Sequence, residues 1–383
     1  MGVVYLNDLL IMTPGPTEVS EEVRLAMSQK ITNPDLDPEF FEFYLDVSSK
    51  LQKVLNTQND VIIMSGEGIL GLESACASLI EEGDRVLVLD NGIFGKGFAD
   101  FAELYGAEVT RWEFSYNKEI DISILEEKLA EDNDFKFATF VHCETPTGVV
   151  NNAEKITYLL NKYEILSVLD SVSAIGGIPV EVDKWGIDII LGGSQKCLSV
   201  PPGLTFMSVS DKVWDAVNSR KTPVRGYYTN LKLWQGWYQE KYFPYTQAVS
   251  DIYALNAALD KWLKDKNVFK RHKNIAEALR KALQKSGLEL FAENGHSDTV
   301  TAVKLPEKIG YDQLNQLMTE KHSVMIASSL GEFQESLFRI GHMGENCYEE
   351  KIYRTLKALD KSLRELGFSP SKELHKVFVD EIN

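Results

Sequence analysis

A single lysine, Lys196, follows the apolar run Ile187-Asp188-Ile189-Ile190-Leu191 and the small-residue turn Gly192-Gly193-Ser194-Gln195, just ahead of Pro201-Pro202-Gly203. The run reads as a buried strand, which places the ammonium where desolvation disfavours its charge. A lysine whose pKa is lowered in this way is a nucleophile able to condense with an aldehyde. The same residues also allow a lysine just beyond a strand end with its head in water. A carboxylate falls in the matching place one strand earlier. Asp170 ends the run Ile165-Leu166-Ser167-Val168-Leu169 and precedes Ser171-Val172. Ligands of α/β sheets gather at the C-terminal ends of strands, and an acid there can hold a ring nitrogen protonated or simply cap a helix. Only one further strand separates Asp170 from Lys196, so both emerge at the same sheet edge.

A third candidate lies upstream. Gly66-Glu67-Gly68-Ile69-Leu70-Gly71 follows the short apolar run Val61–Met64 and opens a helix. Glycines let a backbone approach a phosphate, and a helix N-terminus supplies free N–H groups with partial positive charge. The spacing is a literal GxGxxG, and Asp90 closes the next strand where a dinucleotide enzyme places its ribose-binding acid. A nicotinamide cofactor and a plain tight turn therefore stand beside a different phosphate ligand. The downstream pair weighs against both. A phosphate cup, an acid for a pyridine nitrogen and a desolvated lysine are the three requirements of pyridoxal phosphate, whereas nicotinamide chemistry has no use for the lysine–acid pair.

These residues need elements to hold them. Thr13-Pro14-Gly15-Pro16-Thr17 is a rigid entry segment, and Ser20 suits a helix N-cap followed by acids. Asn33-Pro34-Asp35-Leu36-Asp37-Pro38 breaks the chain before a helix from Glu39 to Leu55. Strand and helix signals then alternate, with strands at 61–64, 85–89, 108–112, 137–142, 165–169 and 187–191. Such alternation with buried strands predicts a mostly parallel sheet covered on both faces. Near Ser250 the pattern changes to amphipathic helices, including 311–319 and 350–366, with short strands at 299–305, 324–327 and 336–340. That is a smaller α+β unit beginning around 260–270, joined to the first by a long helix.

Composition narrows the classes. The 383 residues are 44% hydrophobic and 25% charged, which fits a soluble globular chain large enough to need no disulfide support. A formal net charge of −17 argues against nucleic acid and anionic membrane surfaces as partners. The four cysteines Cys76, Cys143, Cys197 and Cys347 are scattered, offer no metal-ligand spacing and suit a reducing cytoplasm. Met1 to Asp8 lacks a basic region and has too short an apolar run for a signal peptide. No stretch reaches the roughly 18 apolar residues of a membrane span.

Ser194-Gln195-Lys196 with Pro201-Pro202-Gly203 resembles the cofactor-lysine motif of class V aminotransferases, in the alanine–glyoxylate and serine–pyruvate branch of fold type I. The resemblance runs from Pro14-Gly15-Pro16 through Arg339-Ile340-Gly341, with several motifs in the right order. It implies an α/β fold type I architecture: an N-terminal extension over 1–15, a large cofactor domain with a seven-stranded, mostly parallel sheet over 16–265, and a small domain over 266–383. It implies pyridoxal 5′-phosphate attached to Lys196, which also shuttles a proton between substrate Cα and cofactor C4′. Asp170 would hold the pyridinium N–H and Val172 would pack on the ring. Glu67, Gly68 and Ile69 match the phosphate turn, with the Glu67 side chain expected to point away from a dianion. Gln195 matches a phosphate contact. Phe94, in Asn91-Gly92-Ile93-Phe94-Gly95, replaces the usual stacking tryptophan. Thr145, in Glu144-Thr145-Pro146-Thr147-Gly148, would bond near the ring oxygen. Thr246 matches a phosphate contact from the neighbouring subunit of a homodimer, while the tyrosine expected three positions earlier is Phe243. Arg339 and Gly15 would bind the substrate, the guanidinium gripping the α-carboxylate. His142 is read as structural.

The implied activity is ping-pong transfer of an amino group from alanine or serine to glyoxylate or pyruvate. A cysteine desulfurase on the same fold, with Cys347 as the one candidate nucleophile, is a rival. So is an NAD-dependent oxidoreductase using the Gly66-Gly68-Gly71 turn. A third rival is a catalytically idle homologue serving in a complex, because Phe243 and Phe94 both weaken the expected pocket.

Overall fold

The computed structural model describes residues 9–382, so the reading of Met1 to Asp8 lies outside the described residues. Seven strands form the main sheet: β1 (Asp60–Ser65), β2 (Arg85–Asp90), β3 (Glu108–Glu113), β4 (Phe137–Val141), β5 (Leu166–Asp170), β6 (Ile189–Gly193) and β7 (Leu204–Val209). Their spatial order is β1-β7-β6-β5-β4-β2-β3. Every pairing is parallel except those of β7, which runs antiparallel to both β1 and β6. The central strands β4, β6 and β7 are buried at every position, as a sheet covered on both faces requires.

Sequence and structure differ at several places, three of them near the site or the join between the cores. β7 was not foreseen, although Pro201-Pro202-Gly203 leads straight into it. The connection beyond Ser250 is two helices, Val249–Lys264 and Val268–Lys285, rather than one, because the chain breaks at Asp265. A last helix, Leu374–Ile382, was also unforeseen. Elsewhere the helix N-termini follow the caps: Asp37 accepts from the Glu39 amide at 3.0 Å with Pro38 in the first turn, and Ser20 caps Glu21–Met27.

A second, three-stranded antiparallel sheet has β10 (Leu337–Gly341) at its centre, flanked by β8 (Val300–Lys304) and β9 (Ala327–Ser328). Its apolar core, including Ile275, Leu279, Phe338, Ile340, Leu356 and Phe378, is separate from that of the large sheet. The entry segment belongs to this second core. Leu10 and Met12 are buried in it, and Leu10–Ile11 pairs in parallel with Val324–Met325. From there residues 13–17 cross to the large sheet, where the Thr17 amide donates to the Gln195 carbonyl at 3.1 Å. Among the described residues no helix is long and apolar enough to cross a membrane.

Candidate active site

The C-terminal edge of the main sheet gathers the candidates. Asp170 ends β5, in register with Val141 of β4 and Leu191 of β6, so it sits at the rim of the sheet's central strands. Its carboxylate accepts the Val172 amide at 2.9 Å, which turns the side chain over its own loop. Burial pushes its pKa up to about 6; the Val172 amide and Lys196 pull it down, and the negative charge of Glu67 adds to the rise.

Lys196 follows β6 by three residues. Its position is set by a tight turn: the Ser199 amide donates to the Lys196 carbonyl at 2.9 Å, and Ser199 adopts the left-handed region at φ 56°. The ammonium reaches across to the entry segment and donates to the Pro14 carbonyl at 2.6 Å. Gly15 lies against the same side chain. A Cβ there would fall 2.5 Å from Lys196 Cδ and 2.8 Å from Nζ, so no other residue fits without moving the lysine. Burial, and after it the like charge of Arg339, lower the Lys196 pKa to about 8, with Asp170 opposing. Two shifted groups of opposite sign that feel one another at a sheet rim are what imine chemistry on a pyridine aldehyde needs.

Arg339 reaches the site from the centre of the small sheet, paired with Ala302 and Ala327. Its Nε donates to the Ser328 carbonyl at 2.7 Å and its Nη1 to the Thr145 carbonyl at 3.2 Å. It is 7% exposed, and its described partners are these two backbone oxygens rather than a carboxylate. Burial lowers its pKa to about 10. A buried guanidinium with no internal counter-ion is costly, and it is suited to a carboxylate that arrives with a ligand.

The remaining candidates divide. Val172 packs against the start of the Gly68–Leu79 helix, where a Cβ on Gly68 would lie 2.8 Å from Val172 Cγ2. Glu67 does not point away. It is the N-cap of that helix: Oε1 accepts the Ile69 amide at 3.2 Å, and Gln195 Nε2 lies 3.5 Å from Oε2. An unpaired carboxylate beside free helix N–H groups folds back on them, because the helix dipole rewards it. Thr145 keeps its hydroxyl on Ser173. Phe94 is half-buried at the start of the Ile93–Leu104 helix, its amide donating to Glu144 at 3.2 Å. Thr246, an exposed residue, donates to Asp35 of its own chain at 2.9 Å. Phe243 is buried, stacked on Phe41 and Trp237. His142 is buried against Ser171 and Trp185, with its pKa lowered to about 4 by burial.

Sequence reasoning missed two participants. The Pro14 carbonyl carries no side-chain signal. Glu144 reads in the sequence as part of a loop, yet it is fully buried, receives the Phe94 and Gly95 amides, and has its pKa pushed up to about 8 by burial. The requirement for Gly92, whose Cβ would fall 2.2 Å from Glu144 Cδ, was the available hint. Two surface clefts of about 670 and 730 Å³ lie elsewhere, beside Phe40 and Ile122, and hold none of these groups.

The rival readings lose their footing here. The Gly66-Gly68-Gly71 turn follows β1, an edge strand whose only sheet neighbour is antiparallel, rather than an inner strand of a parallel dinucleotide fold. Gly71 serves packing, since a Cβ would meet Thr205 and Leu191 of the sheet. Asp90 is engaged by the Gly92 amide at 3.4 Å and by Arg111 at 3.6 Å. Cys347 is fully buried, with its thiol pKa raised by burial to about 12, the opposite of a mobile nucleophile.

The family model for Aminotransferase class-V matches residues 13–333. The chain is a class V aminotransferase. It is 37% identical over 363 residues to an uncharacterized aminotransferase of Methanocaldococcus jannaschii, covering 94% of each chain. It is 30% identical over 364 residues to the alanine–glyoxylate aminotransferase of Mus musculus, covering 93% of this chain and 87% of that one. The crystal structure of pyridoxamine–pyruvate aminotransferase from Mesorhizobium loti superposes with a TM-score of 0.94 at 31% identity, over 98% of this chain and 97% of that one. Fold type I and transamination dependent on pyridoxal phosphate come with the family. The aminotransferase fits the ring end of that cofactor through Lys196, Asp170 and Val172. The fit at the phosphate end is weaker, because Glu67 already takes the Ile69 amide.

Proposed function

We propose that this aminotransferase moves an amino group from a small amino acid, alanine or serine, to glyoxylate or pyruvate in two half-reactions. The observation carrying the reading is Arg339: a buried guanidinium, held by two carbonyls and facing the lysine's charge, has valence left for a substrate α-carboxylate. Bound pyridoxal phosphate supplies an electron sink that lets the substrate's Cα proton leave.

The chain's residues do the rest. Lys196 Nζ, partly neutral near pH 8, takes the proton from substrate Cα and returns it. The Pro14 carbonyl and the bare Gly15 backbone hold that nitrogen while it is protonated. Asp170 would accept the ring N–H and keep it charged. Val172 and Phe94 would flank the ring, with Phe94 positioned by Glu144. Thr145 places its carbonyl on Arg339 and so couples the ring loop to the carboxylate grip.

We place the enzyme in the cytoplasm as a homodimer, on the support of four buried free thiols and of the exposed Tyr227, Tyr228 and Tyr242. We set the domain boundary near residue 265, where the two helices meet and the cores divide. The test is spectroscopic. Purified protein loaded with cofactor should be yellow and should bleach with alanine or serine, recovering with glyoxylate or pyruvate. A chromophore that no small amino acid bleaches rejects the proposal.

A further inference from the structure

The amino end of the Gly68–Leu79 helix is where a 5′-phosphate would sit, and a carboxylate of the chain already sits there. Glu67 Oε1 takes the Ile69 amide at 3.2 Å, and Oε2 draws the Gln195 side-chain amide at 3.5 Å. Neither described partner is a cation. Gln195 thereby turns one of its two N–H bonds toward Glu67, while its own Oε1 is buried without a donor. The position faces the ring pocket. Gly68 abuts Val172, and the negative charge of Glu67 is felt at Asp170. Of the two further donors expected there, the Thr246 hydroxyl donates to Asp35, and position 243 is a buried phenylalanine with none to offer. A phosphate offers acceptors only and carries negative charge, so it meets like charge and competes for one amide. A hydroxymethyl group is neutral and brings an O–H, which the Glu67 carboxylate can accept.

We propose that the pocket of this aminotransferase selects against the 5′-phosphate and takes the unphosphorylated B6 vitamers, pyridoxamine and pyridoxal, as exchangeable substrates held at least as tightly as the phosphorylated aldehyde. Pyridoxamine then serves as an amino donor. Its aminomethyl carbon gives up its nitrogen and one proton and becomes the aldehyde carbon of pyridoxal. The carbonyl carbon of a 2-oxo acid gains that nitrogen and a proton. One water leaves when amine and carbonyl condense, and one is consumed when the product is released. This inference rests on the aminotransferase reading above.

The test titrates wild-type protein and Glu67→Ser with pyridoxal and with pyridoxal phosphate, reading the imine absorbance; Lys196→Ala is the blank. Serine keeps a helix cap and removes the charge, so the fold should survive, and thermal unfolding checks it. The wild type is expected to bind pyridoxal no more weakly than pyridoxal phosphate and to form pyridoxal from pyridoxamine and pyruvate. Glu67→Ser should tighten the phosphate form by about tenfold or more, and weaken pyridoxal, which loses a charged acceptor. Wild-type preference for the phosphate form by about tenfold or more, or a ratio unmoved by the substitution, overturns the inference alone. An imine from neither aldehyde overturns the aminotransferase reading with it.

Discussion

Arg339 and the amino end of the Gly68–Leu79 helix both attract anions, and the chain treats them in opposite ways. The guanidinium is buried, braced by the Ser328 and Thr145 carbonyls, and left without a carboxylate among its described partners. At the helix end the Ile69 amide is taken from within by the Glu67 carboxylate. A protein tolerates an uncompensated buried charge only where a ligand completes it, and it caps a helix end where none is needed. One pole of the site thus carries a buried charge with only carbonyl partners, and the other already holds a carboxylate of the chain.

The largest effect should come from the group between the poles. Lys196→Ala is expected to remove the imine chromophore and to cut transamination by about four orders of magnitude or more, because nucleophile and proton carrier are lost together. Retention of the chromophore in that variant would mean that another amine holds the aldehyde.

Next comes the carboxylate pole. Arg339→Ala should lower kcat/KM for every amino and oxo acid by about 10²–10³, the loss that follows removal of one partner of a buried charge pair, with Arg339→Lys recovering part of it. The same change has a titration consequence. Protonated Arg339 depresses the Lys196 pKa, so removing it should raise that pKa from about 8. Neutral amine accumulates as pH rises through the pKa, and reductive alkylation of Lys196 should therefore show a midpoint near 8 in the wild type and a higher one in Arg339→Ala. Equal midpoints would uncouple the two residues.

A smaller effect tests the strap between the two cores. Gly341 ends β10 two residues from Arg339, and a Cβ there would fall 2.3 Å from the Thr13 carbonyl oxygen. The Gly341 amide donates to Met12 and Asn346 ties Thr13 to the strand, so nothing can yield except backbone. Gly341→Ala should cost about 1–3 kcal/mol in stability, read by denaturant unfolding, and should loosen Pro14 from Lys196. An unchanged midpoint would show that the strap is not held there.

How much of this was legible before the structure depends on which atoms do the work. β4, β5 and β6 announce themselves as apolar runs, with Asp170 closing β5 and Lys196 three residues beyond β6. β7 was hidden because Thr205 and Ser208 break the run; both are buried, and Thr205 spends its hydroxyl on the Gly192 carbonyl. The lysine's acceptor is a backbone oxygen of Pro14, which no residue type advertises. Glu67 was found by motif and misjudged by rotamer, since its direction depends on local competition for the Ile69 amide.

Thr246 is the finest probe of the contrast. The resemblance assigns its hydroxyl to a phosphate across an interface, but here the proton is given to Asp35 at 2.9 Å, leaving only lone pairs outward. Lone pairs do not bind a phosphate. Thr246→Val should therefore change affinity for pyridoxal phosphate by less than about threefold, below the roughly 1 kcal/mol of one ordinary hydrogen bond. Its effect on pyridoxal should be no larger. A loss of about tenfold confined to the phosphate form would show the hydroxyl turning from Asp35 to the ligand, and the phosphate pole would then be better furnished than Glu67 and Gln195 indicate.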